Sequence, residues 1–203
     1  MTSLLLIGGG GHCRAAIDVI ELQGQFVIKG IVQPSADGTA PVLGYPILGD
    51  DEDLPALLAD TRQALITVGQ IKTPAIRQRL FERLSSLHAI MPCIASPRAH
   101  VSRHAEVGHG TLIMHGAVVN ARARLGVNGI VNSLSLVEHD AVVGDHCHIS
   151  TGARVNGGVT IEDGCFIGSG AVLREGVRIG ANSVIGAGCI VKRDVPAQSV
   201  VKA

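Results

Sequence analysis

Three consecutive residues, Glu138-His139-Asp140, set an imidazole between two carboxylates, the arrangement in this chain best suited to moving a proton. Imidazole changes charge near neutral pH, so His139 could take the proton of an attacking N–H or O–H group. An acidic partner would fix its tautomer and stabilise the imidazolium; Asp140 is the first candidate and Glu138 the second. Eighteen residues beyond His139 stands Gly157, with no side chain to obstruct a ligand and a backbone N–H able to face a developing oxyanion. A second constellation opens the chain, where Gly8 to Gly11 and His12 follow an apolar run. Glycines let a backbone approach a diphosphate, and a helix starting in that turn adds N–H donors and a positive dipole end. Each constellation also has an ordinary reading: an outward histidine that is simply solvated, and a tight turn that simply packs.

The elements that would position His139 follow from a period of six. Stepping from Val101 by six residues gives Val101, Val107, Ile113, Val119, Leu125, and so on to Val191, sixteen positions that are all aliphatic. The fourth residue after each is never larger than valine. An amphipathic helix would repeat near 3.6 and a hairpin sheet near two, so the segment reads as an all-β left-handed parallel β-helix of hexapeptide repeats. Three hexapeptides make one coil of that fold, so residues 18 apart are expected to be neighbours on adjacent coils. His139 then points outward beside a corner, with Gly157 one coil on. Cys147, Cys165 and Cys189 fall on small inward positions and read as packing.

The first 92 residues read as an α/β domain of Rossmann-like βαβ type. Apolar runs at 3–7, 26–32 and 64–68 alternate with helical patterns through about Leu22, at 51–60 and at 73–87. A ligand belongs at the carboxyl ends of such strands. Hydride transfer is disfavoured, because Val32-Gln33-Pro34 stands where a dinucleotide fold has its ribose-binding acid. The expected division is 1–92 and 93–203.

Bulk properties narrow the class. Lys plus Arg and Asp plus Glu are 17 each, which gives no global field for nucleic acid. Aromatics at 2% with 26 glycines suit a repetitive core of small residues better than a helical bundle. No apolar run of spanning length and no signal-peptide pattern is present, so a cytoplasmic protein without a membrane span is expected. Five cysteines form no CxxC pair, and stepping 18 from His115 or back from His139 meets Ser133 and Ala121, so no metal is expected.

A Gly-rich turn ending in histidine, joined to a gap-free hexapeptide prism bearing Glu138-His139-Asp140, resembles the PglD/NeuD-type sugar acyltransferases over essentially the whole chain. The segment 132–158 is its most specific part. The resemblance implies an acetyl-CoA-dependent N-acetyltransferase acting on the 4-amino group of a nucleotide-linked, UDP-linked, amino-deoxysugar for bacterial glycan biosynthesis. It implies His139 as general base with Asp140 as its tuning neighbour. It implies His148 and Gly157 at the thioester end of acetyl-CoA, and Ser169 and Ala187 along the CoA channel. Gly10, Gly11, His12, Gln33 and Gly69 would hold the nucleotide-sugar, although Gln33-Pro34 replaces an aspartate pair of related enzymes. A homotrimer with active sites at subunit interfaces is the implied assembly. Two other readings stay open: O-acetylation of a sugar such as sialic acid, and a non-catalytic β-helix that assembles with a partner.

Overall fold

The computed structural model describes residues 1–202, which fall into two units. The first joins Met1–Gly69 with Ile76–Pro92, and the second joins Gln70–Ala75 with the chain from Cys93 onward. Nothing in the sequence marks the excursion of 70–75 into the second unit.

The first unit runs β1 (Thr2–Ile7), α1 (Gly11–Gln23), β2 (Phe26–Val32), β3 (Ile47–Gly49), α2 (Leu54–Thr61), β4 (Ala64–Ile66) and α3 (Ala75–Ser86). Its sheet is ordered β3-β2-β1-β4, and every pairing is parallel. Leu4 to Ile7 are at most 1% exposed, as a central parallel strand covered on both faces requires. Leu54 and Leu58 of α2 and Leu80 and Leu84 of α3 join Leu5, Ile7, Val32 and Ile66 in one core. Burial of each such side chain contributes about 1.5–3 kcal/mol. Strand β3, three residues long and preceded by Pro46, gave no pattern in the sequence.

The second unit is a left-handed parallel β-helix of two-residue strands, from β5 (Ile94–Ala95) to β22 (Val200–Val201). They form three parallel sheets of five, seven and six strands. The ladder Ile130, His148, Phe166, Val184 advances by 18 residues at each step. Of the sixteen periodic aliphatics, all from Ile113 to Val191 are at most 6% exposed, while Val101 and Val107 pack partly buried against them. Cys147, Cys165 and Cys189 point into the same core at 1%, 0% and 4% exposure, and burial pushes the Cys147 thiol up from its ordinary value.

The corners show why the register holds. Arg122, Asn128, Leu134, Asp140 and His146, then Gly152, Gly158, Gly164, Gly170 and Gly176, all have φ between 52° and 72°. One left-handed residue in every six turns the chain from one sheet to the next. The final coil departs from the rule: Val200 pairs with Val184 and Val195 with Ile179, steps of 16. Val195, expected at a small position of the Val191 repeat, therefore stands in the aliphatic column of Ile179 instead.

Candidate active site

His139 and Asp140 lie at the corner between strands β12 (Leu136–Val137) and β13 (Val142–Val143). Asp140 is the left-handed residue of that corner, with φ 59°. His139 Nδ1 donates to Asp140 Oδ2 at 2.9 Å, because a carboxylate only accepts. That leaves Nε2 as the ring atom with a lone pair. Asp140 Oδ1 in turn meets Arg122 Nε at 2.8 Å. The hydrogen bond from His139, with the nearby Arg122 charge added, holds the Asp140 carboxyl below its ordinary value.

Glu138 does a different job. Its Oε2 accepts from Asn120 Nδ2 at 2.7 Å and from the His139 backbone N–H at 3.2 Å. It braces the backbone of the corner, whereas Asp140 holds the ring.

Gly157 lies directly under the imidazole. A Cβ placed on it would stand 2.8 Å from His139 Cε1 and 2.9 Å from Nε2. The Gly158 N–H donates to the His139 carbonyl at 3.0 Å, which locks the two coils in step. At equivalent corner positions the N–H groups of Val127, Asp145 and Ala181 are taken by carboxylates of the next coil or of a neighbouring turn. Among the described residues the Gly157 N–H has no internal acceptor. The corner thus pairs an oriented imidazole with a backbone N–H one coil away.

The other expected residues stand elsewhere on the prism. His148, in β14 (His148–Ile149), is 6% exposed. Its Nδ1 donates to the Gln70 carbonyl at 2.7 Å, its Nε2 accepts from Asn132 Nδ2 at 3.1 Å, and Phe166 meets its ring edge-on at 5.2 Å. Ser169 and Ala187 are exposed on a different edge from His139, 18 residues apart, with Ser169 Oγ 3.0 Å from Ser150 Oγ.

In the first unit the glycine turn follows β1 as expected. Gly8 has φ 102° and accepts no side chain, since a Cβ would fall 2.4 Å from Val68 Cγ2. Gly10 caps α1 without any side-chain hydrogen bond, and a Cβ on Gly10 or Gly11 would meet nothing within 4 Å. The helix start is therefore open. Gly69 faces His12, whose Cβ would lie 3.5 Å from a Cβ built there. Gln33 is 7% exposed, and its Nε2 donates to the carbonyls of Gly38 at 2.8 Å and Asp37 at 3.4 Å. A cavity of about 540 Å³ elsewhere lies between α2 and the 87–90 turn, away from these strand ends. At the strand ends themselves is a cavity of about 460 Å³, lined by Gly9, Arg14, Gln33 and 37–43.

Sequence reasoning missed Asn120 and Arg122, although both are 18 residues before the carboxylates they meet, and the coil step would have found them. It also missed Arg14 and the 37–43 loop, which carry no periodic signal. Among the described residues no group of three or more His, Cys, Asp or Glu side chains is placed to hold a metal ion. No helix among them is long and apolar enough to cross a membrane.

A strand-turn-helix unit with an open glycine turn, followed by a hexapeptide prism bearing an oriented histidine, defines a hexapeptide-repeat transferase. The family model described as the PglD N-terminal domain matches residues 3–84, and the bacterial transferase hexapeptide model matches 158–193. Among solved structures, the GDP-perosamine N-acetyltransferase PerB of Caulobacter crescentus, in complex with CoA and GDP-perosamine, is 32% identical at a TM-score of 0.92, over 98% of this chain and 93% of that one. The acetyltransferase domain of PglB from Neisseria gonorrhoeae, in complex with acetyl coenzyme A, is 29% identical at 0.91, over 98% and 94%. WeeI of Acinetobacter baumannii shares the fold at 24% identity and 0.84, over 100% and 97%. The chain belongs to the PglD/NeuD-type sugar acyltransferase family, and it is an acetyltransferase.

Proposed function

We propose that the protein transfers an acetyl group from acetyl-CoA to the 4-amino group of a nucleotide-linked amino-deoxysugar, with His139 as general base. The observation that carries this reading is the imidazole lying over Gly157 with Nδ1 committed to Asp140. Both halves of the reaction have a precedent among similar structures, one holding CoA with GDP-perosamine and another acetyl-CoA.

Each step has a group suited to it. Nε2 takes a proton from the amine as its nitrogen attacks the thioester carbonyl. Asp140 stabilises the imidazolium that results. The Gly157 N–H donates to the carbonyl oxygen as it becomes an oxyanion, a contribution of a few kcal/mol in comparable sites. The carbon–sulfur bond then breaks, and His139 returns the proton to the departing thiolate. The products are the acetamido sugar and free CoA.

Gly10, Gly11 and His12, with Gln33 and Gly69, fit the nucleotide end of the acceptor. His148, Ser169 and Ala187 fit the CoA arm. Because Ser169 and Ala187 occupy a different prism edge from His139, a homotrimer whose protomers each lend an edge to a shared site is the assembly we favour. The reaction belongs in the cytoplasm, where acetyl-CoA and sugar nucleotides are available, and serves glycan biosynthesis.

The test is thiol release from acetyl-CoA with a panel of nucleotide-linked amino sugars and matched hydroxyl acceptors. Replacing His139 by Ala should lower kcat by roughly 10²- to 10⁴-fold without unfolding the protein, since the side chain is 67% exposed. Normal turnover in that variant would remove His139 from the mechanism, and turnover of hydroxyl acceptors alone would replace N- with O-acetylation.

A further inference from the structure

Along one edge of the prism the corner residues Gly116, Leu134, Gly152, Gly170 and Gly188 follow one another at steps of 18, each with φ between 59° and 70°. Glycine suits that backbone, and Asn, Asp and His tolerate it, but a leucine there is strained. Among the described residues Leu134 is the one apolar side chain at a left-handed corner of the prism. Burial does not offset the strain, since Leu134 is 70% exposed. Strain of this kind is kept where a side chain is used.

The position of the side chain indicates the use. A Cβ built on Gly152, Gly170 or Gly188 would meet nothing within 4 Å, so three successive coils present an open glycine shelf. At Gly116 the same atom would stand 2.7 Å from Leu134 Cδ2. The shelf therefore stops at Leu134, whose side chain lies over the following step. The backbone that carries it is pinned: Asn132 Oδ1 accepts from the Ser133 N–H at 2.8 Å, and the Asn132 carbonyl accepts from the Ser135 hydroxyl at 2.6 Å. The Asn132 amide also holds His148 Nε2 at 3.1 Å. The end of the shelf is thus tied to the histidine that the proposed function sets beside the thioester.

Ser169 and Ala187 immediately precede Gly170 and Gly188 on this edge. Under the proposed function, on which the inference rests, the CoA arm follows the shelf past them toward His148. We infer that Leu134 is the stop that restricts the transferred group to acetyl. A propionyl or butyryl chain would extend from the thioester onto the next coil, a step of about 4.7–4.9 Å. That step is already filled by the leucine side chain over Gly116. An apolar wall of this kind discriminates one methylene by about 10- to 200-fold.

The test compares acetyl-, propionyl- and butyryl-CoA in two ways, by thiol release with an acceptor and by calorimetry without one. Wild type should favour acetyl- over butyryl-CoA by at least about 10-fold. Leu134→Gly gives the corner the residue its backbone prefers, so it should fold with a melting temperature no lower than that of wild type. In that variant, and in Leu134→Ala, the butyryl-to-acetyl ratio should rise by at least about 10-fold. Leu134→Met, which conserves volume, should keep the wild-type ratio. An unchanged ratio in folded Leu134→Gly, a change confined to acceptor choice, or equal use of butyryl- and acetyl-CoA by wild type would each overturn the stop. Loss of the assembly state in Leu134→Gly would overturn it as well, by marking Leu134 as a subunit contact. If acetyl-CoA is turned over and the ratio does not move, the stop fails and the acetyltransferase stands. If calorimetry shows the shift while no acceptor releases thiol, the stop is supported and the acetyltransferase reading fails. Absence of any acyl-CoA binding would remove both.

Discussion

Replacing Gly157 by alanine tests the geometry of the base more sharply than removing the base does. The glycine is not in the left-handed region, so alanine suits its backbone, and its N–H survives as a donor. The new methyl group, however, would stand 2.8 Å from His139 Cε1 and 2.9 Å from Nε2. Carbon atoms settle at about 3.5–4.0 Å, so the ring must withdraw by about 0.7–1.2 Å. It can do so only by stretching or rotating about its 2.9 Å bond to Asp140. A misplacement of about 1 Å at a reacting group costs on the order of 10²-fold in rate. That corresponds to about 2.7 kcal/mol of barrier. The expected outcome of thiol-release kinetics is therefore a kcat reduced by roughly 10- to 100-fold, with a melting temperature close to that of wild type. Wild-type kcat in a folded Gly157→Ala protein would show that the ring position over Gly157 is not the one used in catalysis, and the proposed division of labour would fall with it.

Other consequences can be checked alongside. Asp140→Asn should lower kcat on the order of 10²-fold, because an amide can turn its NH₂ toward Nδ1 and favour the wrong tautomer; Glu138→Gln, which keeps an acceptor for Asn120 and the His139 N–H, should do much less, and the reverse ranking would assign the orienting role to Glu138. Glu162 is held below its ordinary value of 4.5 by the Ala181 N–H and the Arg178 guanidinium. Its depressed carboxyl stabilises the fold above that value and ceases to do so as pH falls through the folded one. Glu162→Gln should thus lower the melting temperature at neutral pH, with a deficit that narrows as the pH is taken below 4.5; a deficit constant with pH would show that the charge is not responsible.

The prism was legible because burial and period coincide: Ile113 to Val191 mark the inside of each coil, and six residues per face leaves no competing register. The pairing of His139 with Gly157 followed from the same count. Val195 misled because a valine suits either the small or the aliphatic column, and only the backbone shows that two residues are missing from the last coil. In the first unit β1 and β2 were evident as apolar runs, but β3 depends on edge pairing with Ile31 and Val32 and leaves no pattern of its own. The 37–43 loop was silent for a different reason. Its backbone is tied by the Gln33 amide to the carbonyls of Asp37 and Gly38, four and five residues on, an irregular local contact that neither hydropathy nor periodic spacing records.

The Asp140 corner has one more consequence. His139 is largely exposed, yet its backbone is braced by Glu138, its ring is tied to a carboxylate that Arg122 holds from the preceding coil, and Gly157 lies beneath it from the next. In the proposed mechanism, much of the rotational entropy of aiming the imidazole is surrendered when the coils stack, during folding, rather than when substrate arrives. If His139 is the proton acceptor as proposed, it is aimed by architecture, and most of the disorder to be overcome at each turnover resides in the ligands.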